Sequence, residues 1–125
     1  VTLFKPLAVA AARAASEKKG EGIALFNVAR TSPVTDYMLI VTALSRPHLE
    51  SLEDEVKKAA RLLGVSCLRR SRRSERWRVL DFGGLLVHLM TAEARAFYAL
   101  DKLYHGSPRM RWANHGPRRK DRKNA

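Results

Sequence analysis

The sequence predicts an α/β domain, a mixed β-sheet of about five strands with three helices. Two observations carry this. Short runs rich in β-branched and aromatic residues, such as "GIALFNVA" and "YMLIVTAL", alternate with segments whose apolar residues recur at helical spacing, and glycine, proline and serine punctuate the joins. The chain has 125 residues, enough for one hydrophobic core and about one domain.

"FKPLAVAAARAASEKKGEG" places Pro6 in a first helical turn ahead of an alanine-rich run, predicting a helix from about Leu7 to Lys18 that stops before Gly20. "GIALFNVA" and "YMLIVTAL", interrupted by "SPVTD", read as two strands, the second buried on both faces. In "SRPHLESLEDEVKKAARLLG", Leu49, Leu52, Val56, Ala59, Ala60 and Leu63 share one helical face, with Ser45 as the N-terminal cap and Gly64 as the stop. "VSCLRRS" predicts a strand, "RRSER" a turn, and "WRVLDF" and "LLVHLM" a hairpin joined at Gly83 and Gly84, where positive φ is expected. Thr91 caps a last helix whose Ala96, Phe97, Leu100, Leu103 and Tyr104 form one apolar stripe ending near His105 and Gly106. Leu49, Leu52, Val56, Phe97 and Leu100 are expected in the core. These elements fill residues 1–105. Residues 106–125 are basic, proline-punctuated and short of aliphatics, so a tail is expected that is mobile or folds only on a partner.

Lys and Arg number 24 against 12 Asp and Glu, a net charge of +12 with a pI near 10.7. Such a field attracts nucleic acid, anionic lipid or acidic protein without choosing among them. No apolar run reaches the roughly 20 residues that span a bilayer, and a soluble protein without a membrane partner is expected. The start at Val1 fits a processed or trimmed chain, so the missing leader says little about targeting. Cys67, the only cysteine, cannot form an internal disulfide and reads as a structural thiol in a reducing compartment.

Reactive constellations fail one after another. His48, His88, His105 and His115 are scattered, and none stands at zinc-ligand spacing with Cys67. "FGG" is too short for a phosphate-cradling loop and joins two strands. Glu53 and Glu55 lie about 200° apart around their helix and read, with Asp54, as a solvated face. Asp36 and Asp81 could converge on a metal only if their strands were neighbours. No catalytic residue, metal ligand or cofactor is expected. The densest charge is Arg69, Arg70, Arg72, Arg73, Arg76 and Arg78, with only Glu75 among them. On a hairpin these guanidiniums are expected to project into water and meet phosphate or an acidic surface. Stacking aromatics are sparse beside them, Trp77 being the nearest, so phosphate contact is supported and sequence readout is not.

The stretch from Trp77 to Tyr104, "W-x-V-L-D-F-G-x-x-x-V-H-L-M-x-x-E-x-R-x-F-Y-x-L-D-K-L-Y", resembles the C-terminal signature of the Iojap/RsfS family of ribosomal silencing factors, and "TSPVTDYMLIVTALSRPHLESLEDEV" resembles its upstream motif. The resemblance is colinear from about Lys18 to Tyr104. It implies a nucleotidyltransferase-like fold without the catalytic carboxylates and a non-enzymatic role. Members bind the large ribosomal subunit through its universal protein fourteen at the inter-subunit face and block subunit joining. Mitochondrial relatives act in large-subunit assembly and recruit a small LYR-motif protein carrying an acyl carrier protein. Ala43 and Leu44 replace a glycine-containing turn usual in the family, Gly84 stands where an aspartate is common, and the arginine cluster replaces a more acidic or glycine-bearing turn.

On this resemblance, Asp36, Tyr37, Trp77, Asp81, His88, Arg95 and Tyr98 are expected to face the ribosomal protein, and Arg69, Arg70, Arg72, Arg73, Arg118, Arg119 and Lys120 to face rRNA phosphates. For His88 an internal, hydrogen-bonded histidine is the competing reading, and for Asp81 a carboxylate that holds the hairpin turn. "DFGGLLVHLM" resembles mitochondrial branches of the family, so a mitochondrial matrix location is expected, with bacterial cytoplasm or plastid as alternatives. A nucleotidyltransferase-fold enzyme and a general basic RNA-binding protein are the rival functions.

Overall fold

The computed structural model describes residues 4–71 and 74–113. In chain order these form α1 (Lys5–Glu17), β1 (Glu21–Asn27), β2 (Tyr37–Ala43), α2 (Arg46–Leu62), β3 (Arg69–Arg70), β4 (Trp77–Asp81), β5 (Leu85–Thr91), α3 (Ala92–Tyr98) and α4 (Leu100–Leu103). The five strands make one mixed sheet in the order β1-β2-β5-β4-β3. β2 and β5 run parallel at its centre, while β1 against β2, β4 against β5 and β3 against β4 are antiparallel. Among the described residues no helix is long and apolar enough to cross a membrane.

Strand alternation divides the side chains between two faces. Leu25, Leu39, Val41, Leu80, Leu85, Val87 and Leu89 pack beneath α1 and α2. The alanines of α1, with Ala8, Ala11, Ala12 and Ala15 fully buried, let that helix lie close to the sheet and to α2. α2 starts at Ser45, whose hydroxyl accepts from the His48 N–H at 3.2 Å, and stops before Gly64 at φ 77°. Leu49, Leu52, Val56 and Ala60 are buried as the spacing predicts, whereas Leu63, at the C-cap, is exposed. On the opposite face Ala24, Phe26, Met38, Ile40 and Met90 are covered by Ala94, Leu100 and Tyr104.

The hairpin glycines have different duties. Gly83 takes φ 97°, as the turn requires, but Gly84 does not adopt a positive φ and is needed because any Cβ there would run into the Phe4 ring.

Three expectations are corrected. The last helix is not continuous: Ala99 adopts the left-handed conformation at φ 50°, ψ 44° and breaks it into α3 and α4, giving four helices among the described residues. Phe97, expected in the core, is exposed, as is Leu103 of the same stripe, while Leu100 stays partly buried. The sequence also places residues 106–125 in a tail that is mobile or folds only on a partner, yet residues 108–112 of it run along the free edge of β1. There the Asn27 N–H donates to the Pro108 carbonyl at 2.9 Å, the Met110 N–H to the Leu25 carbonyl at 2.8 Å, and the Arg13 Nε–H to the Trp112 carbonyl at 2.8 Å. Met110 and Trp112 pack against the core, which is why a basic segment holds this position.

Candidate protein-docking face

Trp77 is the first residue of β4 and points away from α1 and α2. Its indole ring lies against Tyr98, centroids 4.5 Å apart at 46°, and Tyr98 meets Phe97 edge-on at 5.0 Å and 85°. Phe97 is 80% exposed and Tyr98 52%. These rings, with Val79 and Ala94 below and Ser71, Ser74, Arg76 and Glu93 at the rim, line an open groove of about 750 Å³. An exposed aromatic patch with a polar margin is the composition of a protein-docking surface.

His88 sits under this patch, only 8% exposed. Its Nδ1 accepts from the Trp77 Nε1–H at 3.0 Å. Because indole only donates, Nδ1 is unprotonated and the imidazole proton resides on Nε2. Burial holds this imidazole down at about 4. His88 therefore fixes the tryptophan from inside and does not itself present a contact surface.

Asp81 and Asp36 mark the other end of the sheet. Asp81 ends β4, roughly 13 Å from Trp77 at about 3.3 Å per residue. Its Oδ1 accepts from the Gly83 N–H at 2.8 Å and its Oδ2 from Arg69 at 3.0 Å, so the turn-holding reading describes its contacts. Asp36 is exposed beside Gly84, whose carbonyl takes its N–H at 3.2 Å. β5 lies between β2 and β4, so the strands leading from Asp36 and into Asp81 are not neighbours and the condition for a shared metal is unmet. No group of three or more His, Cys, Asp or Glu is placed to hold a metal ion among the described residues. Tyr37 packs into the cluster beneath the helices, on the face opposite Trp77, and does not flank the patch.

Arg95 also departs from expectation. Its guanidinium turns inward to the Gly22 carbonyl at 2.6 Å, Thr42 Oγ1 at 3.0 Å and both oxygens of Asp101 at 3.0 and 2.7 Å. The hydrogen bonds from Arg95 outweigh burial and hold the Asp101 carboxyl below its ordinary value.

Of the described arginines in the cluster, Arg69, Arg70 and Arg78 are paired with carboxylates. Arg78 is 5% exposed and, on the helix side of β4, reaches Glu50 and Glu53 at 3.1 Å each and the Ser74 carbonyl at 3.1 Å. Arg70 meets Glu53 at 2.6 Å, and Lys57 approaches it at 3.6 Å. Glu53 is thus no solvated helix acid: it is 2% exposed at the junction of α2 with β3 and β4. Burial raises its carboxyl, but hydrogen bonds from Arg70 and Arg78 with the charges of Arg70 and Lys57 bring it below its ordinary value. Arg69 remains exposed while paired with Asp81. Arg72, Arg73, Arg118, Arg119 and Lys120 lie outside the described residues. Cys67 is half-buried and donates to the Arg69 carbonyl at 3.1 Å, and burial pushes its thiol up, as for an unactivated cysteine.

Sequence reasoning missed Phe97 as a surface residue and Glu53 as an interior one. Glu53 carried a usable signal, since it falls between the buried Leu52 and Val56 on α2. Phe97 carried a misleading one, since it follows the buried Ala94 by three residues on α3 and is nonetheless 80% exposed.

Comparison with known proteins agrees with the signature stretch. The family profile described as "Ribosomal silencing factor during starvation" matches residues 3–125. Ribosomal silencing factor RsfS of Treponema pallidum is 37% identical over 100 residues, covering 78% of this chain and 88% of that protein. The chloroplastic protein Iojap of Zea mays is 30% identical over 97 residues, covering 78% of this chain and 42% of that protein. Among solved structures, one from Bacillus halodurans is 29% identical with a TM-score of 0.73, covering 86% of this chain and 98% of that one. A Chromobacterium violaceum protein shares the fold at a TM-score of 0.79 and 20% identity, covering 93% of this chain and 97% of that one. With its signature stretch on the β4–β5–α3 face and the family profile running over nearly the whole chain, this protein belongs to the RsfS family of ribosomal silencing factors.

Proposed function

We propose that the protein is a non-enzymatic factor that docks on the large ribosomal subunit through the Trp77–Tyr98–Phe97 face, with universal protein fourteen as its partner, and so blocks subunit joining. The observation that carries this is the exposed aromatic patch over a buried histidine that fixes its central ring. Exposed rings set in advance bind at low entropic cost, and tryptophan and tyrosine dominate binding energy in interfaces of this kind. Asp36 stands exposed at the far end of the same sheet and adds an acceptor for donors of a basic partner, which Asp81 would offer only by giving up Arg69. Occupancy of the inter-subunit face, rather than bond chemistry, then accounts for silencing.

The basic segments strengthen this dock without choosing it. Arg69 and Arg76 at the β3 edge, with Arg72, Arg73, Arg118, Arg119 and Lys120, meet rRNA phosphates beside the protein contact. Arg78 and Arg70 are largely committed to Glu53 and contribute less. The small LYR-motif protein with its acyl carrier protein belongs to the same proposal, with no residue assigned to it. So does a mitochondrial matrix address, resting on "DFGGLLVHLM" and the charge of +12. The relatives named above are bacterial and chloroplastic, making bacterial cytoplasm and plastid the alternative outcomes of fractionation.

Sedimentation tests the proposal. The protein should travel with isolated large subunits and be missing from joined ribosomes. Equal occupancy of joined ribosomes overturns the blocking role. Tight binding to naked rRNA with no preference for intact subunits favours the general RNA-binding reading instead.

A further inference from the structure

The Arg95 guanidinium occupies a cradle assembled from two backbone irregularities. On one side β1 carries a register shift between Glu21 and Ala24, and within it Gly22 takes φ 55°. A Cβ at Gly22 would stand 2.9 Å from Arg95 Nη1, and the φ of 55° there is one that side-chain-bearing residues rarely adopt. On the other side Ala99 adopts φ 50° without being glycine, and the turn it makes brings Asp101 back against Arg95 as a two-oxygen acceptor. Thr42 on β2 supplies a further acceptor.

The consequence lies two and three residues along α3. If the helix continued past Tyr98, its next turn would follow one axis and the stripe of Phe97, Leu100 and Tyr104 would face one way. Beyond the break Leu100 and Tyr104 cover the Phe26 cluster, with Tyr104 and Phe26 rings 6.1 Å apart, while before it Tyr98 lies against Trp77 and Phe97 meets Tyr98 edge-on. A left-handed alanine is disfavoured and persists only where its surroundings over-determine it. The bidentate ion pair spanning Ala99 supplies that determination.

We propose that Arg95 and Asp101 are positioning residues for docking: their ion pair across Ala99 holds the end of α3 so that Tyr98 stays seated against Trp77. This rests on the docking face put forward above. Arg95 acts through the aromatic rings and touches no partner, which is why a residue expected on the binding surface is found inside.

The test separates the geometry of the rings from binding. With Trp112→Phe as background, Trp77 is the sole tryptophan, and its near-ultraviolet circular dichroism and emission report the 4.5 Å contact with Tyr98. Tyr98→Ala in that background defines the spectrum of a lost contact. Arg95→Lys and Asp101→Asn should each move the Trp77 spectrum toward that reference and weaken binding to isolated large subunits at least fivefold, measured well below their melting temperatures. Thr42→Val removes one acceptor, leaves the ion pair, and should give a smaller change in the same direction if Arg95→Lys does not fold. Wild-type spectra in the two ion-pair variants overturn the inference. So does a changed spectrum with wild-type affinity, provided Tyr98→Ala itself weakens binding. If Tyr98→Ala binds like wild type, the docking face is what fails, and the positioning role falls with it.

Discussion

The Trp77 indole N–H donates to Nδ1 of His88 at 3.0 Å, diagonally across the β4–β5 pair in which Val79 is the direct partner of His88. This bond couples the half-buried ring beneath the patch to a titratable group in the interior. It exists only while Nδ1 carries no proton.

Acid should therefore loosen the fold in a defined window. The His88 pKa is depressed from 6.5 to about 4, so between these values the unfolded chain binds a proton that the folded chain excludes. Stability then falls as pH drops from 6.5 toward 4, by about 3 kcal/mol in all at about 1.4 kcal/mol per pH unit. Glu53 and Asp101, depressed from 4.5 and 3.8, add their losses only below those ordinary values. His88→Asn keeps an acceptor near the Nδ1 position and cannot titrate. Urea unfolding from pH 7 to 4.5 should lose most of its slope in this variant, and an unchanged slope would assign the dependence elsewhere.

Glu53 should be the costliest carboxylate to remove. Its loss leaves Arg78 buried with only Glu50 and a backbone carbonyl, so Glu53→Ala is expected to cost about 3 kcal/mol or more. Replacing both partners, Glu53→Leu with Arg78→Met, should recover much of that loss. Denaturant midpoints of the single and double variants decide it, and strictly additive losses would contradict the pairing.

Gly84→Ala should destabilise by about 1–3 kcal/mol, the usual cost of overpacking, because the new methyl meets the Phe4 ring. Phe4→Ala should remove most of that penalty. A thermal double-mutant cycle measures the coupling, and independence of the two sites would show that the glycine is kept for another reason.

Salt dependence reports the phosphate contacts. Deleting residues 118–125, or changing Arg72 and Arg73 to serine, should weaken large-subunit binding most at low salt and lower the salt slope by roughly one per lost contact. Arg78→Ser should instead act on folding, since that guanidinium is buried among Glu50 and Glu53.

The central architecture was legible because local pattern and tertiary burial agree there. The apolar run of β2, the Ser45 cap and the Leu49–Leu52–Val56 spacing of α2 each specify one answer, and the structure adopts it. What sequence could not convey is direction set by long-range partners. Arg78 and Arg70 turn inward only because α2 presents Glu53 across the hairpin. Ala99 breaks a helix with no glycine or proline to announce it, because Arg95 and Asp101 hold the break from outside. The site divides along the same line. Trp77 and Tyr98 are legible as residues off the apolar stripes, while the inward turns of His88, Arg95 and Tyr37 depend on which face each element leaves uncovered.

The most direct measurement is the affinity of Phe97→Ala for isolated large subunits. Phe97 is 80% exposed, so its truncation should leave the melting temperature unchanged. The account predicts binding at least tenfold weaker, about 1.4 kcal/mol or more, with the variant fully folded. Wild-type affinity in a folded Phe97→Ala protein would contradict a dock on this aromatic face.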